Sequence, residues 1–160
     1  MAIKVGDKVP SVTLKHMSKD GLADISTDEI FSGKKVVLFS LPGAFTPTCS
    51  AKHLPGFVQN AGALKAKGVD TIACVSVNDA FVMNAWGKDQ NVGDNVMMLA
   101  DGNAEFSDAV GLSFDGSGFG MGKRAQRYAM VVEDGVVTTL NVEQPGAFEV
   151  SSAEAVLDAV

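Results

Sequence analysis

The chain has 160 residues, of which 46% are hydrophobic and 20% charged, and a formal charge of −6. That length suits one domain over residues 1–160, able to bury roughly 70% of the surface its unfolded form exposes. The acidic balance excludes nucleic acid as a partner, since phosphate binding needs a basic face; no stretch approaches the ~20 apolar residues of a membrane span, and Met1 to Lys8 has no apolar signal core.

Lys34 to Leu41 and Asp70 to Val77 are short apolar, β-branched runs flanked by helical patterns, and read as buried parallel strands. Between them a helix is predicted from Thr46 to about Lys67, kinked or broken at Pro55. Asn78 is placed to cap a second helix through Trp86, Val96 to Ala100 reads as a strand, and Asn103 is placed to cap a third helix to about Val110. Gly111 to Gly122 reads as a loop insertion. Asp134-Gly135 between Arg127–Glu133 and Val136–Val142 is a hairpin signal, and Ser151 with Glu154 forms a capping box for a last helix. Alternating strands and helices closed by a hairpin and a helix predict an α/β three-layer sandwich.

Two cysteines, Cys49 and Cys74, stand too far apart for a CxxC redox motif and lack the companions of a zinc site. Unpaired thiols imply a reducing compartment, and the expected location is cytoplasmic, in cytosol or an organellar stroma-like space. Cys49 lies in the run Pro42-Gly43-Ala44-Phe45-Thr46-Pro47-Thr48-Cys49-Ser50, between a strand and a helix. Thr46 is a suitable N-cap and Pro47 a suitable first helical residue, so Cys49 falls at about the third helical position. The positive helix end there favours a thiolate, the nucleophilic form of sulfur. The plain alternative is a buried structural thiol; a place in the first helical turn after a glycine-containing loop speaks for exposure.

His53, four residues on, shares a helix face with Cys49 and invites a Cys–His hydrolase reading. Nothing supplies the third, orienting group, so His53 is read as structural. Cys74 sits mid-strand among Ile72, Ala73 and Val75 and reads as a core thiol. A resolving role for it would require its Cα to come within about 7 Å of that of Cys49.

The spacing Pro42-x-x-x-Thr46-x-x-Cys49 resembles the active-site motif of the peroxiredoxins, and the longer run resembles their type II (atypical) branch. Lys52-His53-Leu54-Pro55-Gly56-Phe57, Ser76 to Val82, Arg124 to Val132 and Ser151 to Glu154 extend the likeness in the same order, from about Ile3 to Val160. The resemblance implies a thioredoxin-like sandwich with a mixed central sheet and an N-terminal extension. It implies a peroxidatic Cys49 that reduces hydrogen peroxide and alkyl hydroperoxides, shielded by Pro42, with Thr46 orienting the peroxide and no cofactor or metal.

Attack on an O–O bond builds charge on the departing oxygen, so a fixed cation is needed, and arginine serves better than lysine. Arg124 and Arg127 are the two candidates; the resemblance selects Arg127 and leaves Arg124 a supporting part. Phe45, Phe81, Trp86 and Phe119 are candidates for an apolar mouth, with core packing the alternative, above all for Phe81. The type II likeness also implies a homodimer, and reduction of the oxidised Cys49 by glutathione and glutaredoxin, with thioredoxin as rival. The region from Val142 to Ser152, where some members of that branch carry a resolving cysteine, has serines only. The competing class is a thioredoxin-fold redox sensor using the same sulfur slowly.

Overall fold

The computed structural model describes residues 2–160; Met1, within the segment searched for a signal, lies outside them. The chain opens on an antiparallel hairpin of β1 (Thr13–Ser18) and β2 (Gly21–Ser26), the predicted extension. Ser26 and Glu29 then cap α1 (Thr27–Phe31) reciprocally. Next come β3 (Lys35–Ser40), α2 (Leu54–Gln59), α3 (Ala61–Ala66), β4 (Thr71–Ser76), α4 (Ala80–Asp89), β5 (Met97–Ala100) and α5 (Glu105–Ala109). Short strands β6 (Ser113–Asp115) and β7 (Lys123–Ala125) pair with each other across the glycine-rich segment. The chain closes with β8 (Tyr128–Glu133), β9 (Val136–Val142) and α6 (Ala153–Leu157).

Seven strands form a mixed sheet in the order β2-β1-β5-β4-β3-β8-β9. β3, β4 and β5 are parallel, as their continuous apolar runs require, and the flanking pairs are antiparallel. Side-chain alternation along β3 sends Val37 and Phe39 to one face and Val36 and Leu38 to the other. The first face packs under α2, α3, α4 and α6 through Phe57, Leu64, Trp86 and Val156. The second packs under α1 and α5 through Ile30, Phe31 and Phe106. This is the expected three-layer α/β arrangement with a thioredoxin-like mixed centre. Asp134 and Gly135 turn the β8–β9 hairpin with φ of 49° and 80°, the doubly positive geometry that this dipeptide tolerates.

Several local expectations are corrected. Pro55 neither breaks nor sharply ends its helix: a π turn over Cys49–His53 precedes it, with the Leu54 N–H donating to the Cys49 carbonyl. A proline ring collides with the carbonyl four residues earlier, and a wider turn relieves that collision. The interruption comes instead at Asn60, whose amide nitrogen donates to the Gly56 carbonyl. Asp79, not Asn78, caps α4, accepting from the Val82 N–H at 2.8 Å. Asn103 caps nothing; the buried Asp101 carboxylate accepts from the Phe106 and Ser107 amides at the start of α5. Ser152 rather than Ser151 caps α6. In each case the side chain nearest by local rule is displaced by one that tertiary packing aims better.

Candidate active site

The segment between β3 and the helical run reverses the chain so that Cys49 becomes the third helical residue, as its spacing predicts. Thr46 occupies the cap position and its carbonyl accepts the Ser50 N–H at 2.9 Å. Its hydroxyl, however, does not cap the helix. It turns back and donates to the Gly43 carbonyl at 2.7 Å, leaving its lone pairs free to accept. Phe45 sits at φ 63°, a left-handed conformation uncommon for an aromatic residue. The turn is tied down from the neighbouring strand end, where Asn78 Oδ1 accepts the Ala44 N–H at 3.0 Å and the Ser76 hydroxyl at 2.6 Å.

The expected exposure of Cys49 is not found: its side chain is fully buried within the cluster of Phe39, Leu54 and Phe57. Helix placement alone does not expose a residue when that first turn faces the sheet. Into this apolar setting one charged group is inserted. Arg127, in the residue before β8, donates from Nη2 to the Cys49 sulfur at 3.1 Å and from Nη1 to His53 Nδ1 at 2.7 Å. The planar guanidinium thus holds sulfur and imidazole together, a geometry lysine cannot reproduce.

The other face of His53 is equally determined. Its Nε2 lies 2.9 Å from the Ser151 carbonyl, which only accepts, so Nε2 carries the proton and Nδ1 is the acceptor toward Arg127. Burial, then the adjacent Arg127 charge, push the His53 pKa down to about 3, against which the Ser151 carbonyl acts only partly. A neutral imidazole caged by Phe39, Phe57 and Phe148 is therefore the resident form. It touches Arg127 rather than acting as a base on sulfur, so the hydrolase reading finds no support. Phe148 also lies under the guanidinium, 5.8 Å from its carbon to the ring centre.

Arg124 takes a different position. It donates from Nε to the Met121 carbonyl at 2.9 Å and from Nη1 to the Pro42 carbonyl at 3.2 Å, bracing the loop that carries Pro42. Gly43 makes this possible, because a Cβ there would stand 2.6 Å from Arg124 Nη1. Cys74 is buried mid-strand and opposite Phe39, in the same apolar cluster as Cys49. Burial pushes its thiol well up, with the nearby Cys49 adding to the effect and Arg127 opposing it.

Of the four candidate mouth aromatics, Phe45 and Phe119 are exposed, Phe119 to 81%. Phe81, expected in the core, is exposed at the start of α4, on the outward face of that helix. Trp86 is fully buried and donates its indole N–H to Ser50 Oγ at 3.0 Å, so it supports the cysteine's helix from behind instead of walling a mouth. Residues that sequence reasoning overlooked are Phe148, Ser151 as the carbonyl acceptor that orients His53, and Asn78 as a loop anchor. Each acts through a contact across at least 21 positions of chain, beyond the reach of a local pattern. A cavity of about 660 Å³ lined by Lys65, Asp70, Asn84, Lys88 and Met98 contains none of the residues gathered around Cys49.

The Redoxin family profile matches residues 4–157. Over 163 aligned residues the chain is 51% identical to Peroxiredoxin-2E, chloroplastic, of Arabidopsis thaliana, covering 99% of this chain and 70% of the relative. It is 54% identical to Peroxiredoxin-2E-2, chloroplastic, of Oryza sativa subsp. japonica, covering 99% and 72%. Its structure is similar to that of reduced Prx3 in complex with hydrogen peroxide from Vibrio vulnificus, with a TM-score of 0.95, 57% identity and 98% of each chain covered. The two plant relatives overturn the expected cytoplasmic location, since both are chloroplastic by name. Unpaired cysteines record a reducing milieu and carry no address, which is why the expectation failed.

Proposed function

The chain belongs to the peroxiredoxins, thiol peroxidases built on a redoxin domain, and from that premise we propose that Cys49 is the peroxidatic residue of a single domain spanning residues 1–160. The observation that carries this reading is the Arg127 fork, bonded at once to the Cys49 sulfur and to a neutral His53. In this reading a hydroperoxide enters beside Pro42 and Thr46. Its O–H donates to the Thr46 hydroxyl, whose own proton is already committed to Gly43. The Cys49 thiolate attacks the nearer oxygen and the O–O bond breaks. The sulfur is oxidised to sulfenic acid and the departing oxygen leaves as hydroxide or alkoxide, which takes up a proton to become water or alcohol. Arg127 faces the developing charge without reorganising, and the surrounding apolar shell strengthens its effect. Phe45, half-exposed at the turn, and the exposed Phe119 of the glycine-rich segment are assigned to substrate access, which suits alkyl hydroperoxides as well as hydrogen peroxide.

Recycling is assigned to glutathione and glutaredoxin. One thiol condenses with the sulfenic acid, releasing water and forming a mixed disulfide, and exchange with a second thiol restores Cys49. The burial of Cys74 in mid-strand supports an external reductant, because a mixed disulfide at Cys49 needs only the first helical turn to open, whereas an intramolecular one needs β4 to move too. Thioredoxin would be the reductant of that second route. The exposed Phe119 supports a homodimer contact through the Gly111–Gly122 segment.

Intact-mass measurement of reduced protein after one equivalent of hydrogen peroxide tests the scheme. A gain of one oxygen that converts to a glutathione adduct on Cys49 is expected. Loss of two hydrogens within the monomer would assign Cys74 as the resolving residue, and no change would sink the peroxidase reading.

A further inference from the structure

Glu143 follows β9 and is buried, yet no element of the peroxide chemistry above uses it. Four donors converge on its Oε2: the amides of Glu149 at 2.8 Å, Val150 at 2.9 Å and Ser151 at 2.8 Å, and the Ser151 hydroxyl at 2.7 Å. Among the described residues no lysine or arginine pairs with it. Burial by itself would raise its pKa, but the hydrogen bonds from Ser151, Glu149 and Val150 together outweigh that and hold the carboxyl below its ordinary range. It is a carboxylate cradled by consecutive backbone N–H groups, an anion nest built entirely within the chain.

What this nest holds in place is the back of the active site. The same Ser151 whose amide and hydroxyl bind Glu143 presents its carbonyl to His53 Nε2 at 2.9 Å. That contact fixes the His53 proton on Nε2, so that Nδ1 can receive Arg127 Nη1 at 2.7 Å and Nη2 is left for the Cys49 sulfur at 3.1 Å. Glu143 also acts on Arg127 from the other end, since its backbone N–H donates to the Arg127 carbonyl at 3.0 Å. A single residue therefore grips both the main chain of Arg127 and, through Ser151 and His53, its guanidinium.

We propose that Glu143 is a positioning residue for peroxide reduction, acting solely through Arg127 by way of the Ser151 carbonyl and the His53 tautomer. A bare His53 Nε2 facing the Ser151 carbonyl would be repelled, and the alternative tautomer would turn an Nδ1–H against the Arg127 guanidinium. Displacing the 149–151 backbone thus loosens the fork on the sulfur without touching sulfur or substrate. The inference rests on the assignment of Arg127 to the peroxide step.

The test is single-turnover consumption of hydrogen peroxide by the reduced full chain, with Glu143→Ala made in the native background and in an Arg127→Ala background. In the native background the peroxide rate constant should fall about tenfold, by analogy with the loss when a partner that orients a metal ligand from behind is removed. In the Arg127→Ala background it should fall by less than about twofold, because a residue acting through a missing partner has nothing left to position. The rate of glutathione attack on the preformed sulfenic acid should be unchanged in both. Glu143→Gln, which keeps an acceptor oxygen for the nest, should recover most of the loss. Should Glu143→Ala fail to fold, Glu143→Asp takes its place, since it retains the charge but draws the nest inward by one methylene. Equal losses in both backgrounds would reduce Glu143 to a general stabiliser of the C-terminal loop, and an unchanged rate in a folded Glu143→Ala variant would remove it from the site; either overturns the proposal. A full peroxide rate in the Arg127→Ala variant alone would overturn the Arg127 assignment first, and this inference with it.

Discussion

His53 makes the stability of this protein depend on pH in a window where few other groups act, and the dependence can be worked out before it is measured. In the folded chain its pKa is pushed down to about 3, from 6.5 for an ordinary histidine. Below pH 6.5 the unfolded chain therefore binds a proton that the folded chain refuses, so lowering the pH favours unfolding. The stabilisation is complete above 6.5 and is lost progressively until the pH reaches the folded value near 3. The slope is roughly 1.4 kcal/mol per pH unit for one proton, so at about pH 5 the loss is about 2 kcal/mol, a sizeable part of a typical 5–15 kcal/mol. The depressed carboxylate Glu143 contributes in the same direction, but only once the pH falls below its ordinary value of 4.5, while the Asp101 carboxyl, raised from 3.8 by burial, acts in the opposite sense, so the slope from pH 4.5 to 6.5 is that of His53 less what Asp101 takes up. Urea unfolding followed by far-ultraviolet circular dichroism, at fixed protein concentration across that interval, measures the slope directly. His53→Gln should be less stable at neutral pH and should lose this slope. A native curve that is flat over the interval, or a variant that keeps the full slope, would refute the assignment of a buried neutral imidazole.

Five further outcomes are expected. Cys49→Ser should abolish peroxide consumption, while Cys74→Ser should retain near-native turnover with glutathione and glutaredoxin in a coupled assay; a Cys74→Ser variant that stalls as sulfenic acid would reverse the second expectation. Arg127→Ala should slow peroxide attack by about 10²–10³, the usual loss for one preorganised donor to developing charge, measured at saturating reductant. Arg124→Ala should cost less, because Arg124 braces the Pro42 carbonyl and makes no contact with the sulfur. Phe57 stacks on Phe39 with ring centres 4.0 Å apart and no exposure of either, so Phe57→Ala should destabilise the fold by about 3–5 kcal/mol in urea titrations.

The core strands β3, β4, β5, β8 and β9 and their parallel or hairpin relations were legible because they depend on period and local turn chemistry, whereas the short β6 falls inside Gly111–Gly122, which reads as a loop, and β1, β2 and β7 carry no comparable apolar run. Val136–Val142 coincides with β9, and Asp134-Gly135 turns where that dipeptide should. Caps were less legible, since a cap is a competition among nearby acceptors that packing decides. Ser151 satisfies every local rule for capping α6, yet its hydroxyl is taken by Glu143, eight residues earlier, and Ser152 caps in its place. Asn78 loses the start of α4 to Asp79 because its side chain is engaged by Ala44 and Ser76. At the site, the motif places Cys49 at the right helical position, and the family resemblance picks Arg127 over Arg124. The burial of Cys49 and the exposure of Phe81 were hidden, as both depend on which way a short helix faces the sheet.

The π turn links the proline that sequence reading singled out to the geometry around the sulfur. In a regular α-helix Pro55 would set its ring against the Ala51 carbonyl, and the helix would have to bend away there. The wider turn over Cys49–His53 takes up the misfit one step earlier, so the helix runs on into α2 while the first turn stays against the sheet. That choice keeps Cys49 buried and brings His53 to Arg127 instead of to solvent. A π turn gives up regular bonding and is retained mostly where a site gains from it. Here the gain is a widened turn that seats both the sulfur and the imidazole on one guanidinium. Pro55 thus belongs to the site's construction without touching anything in it.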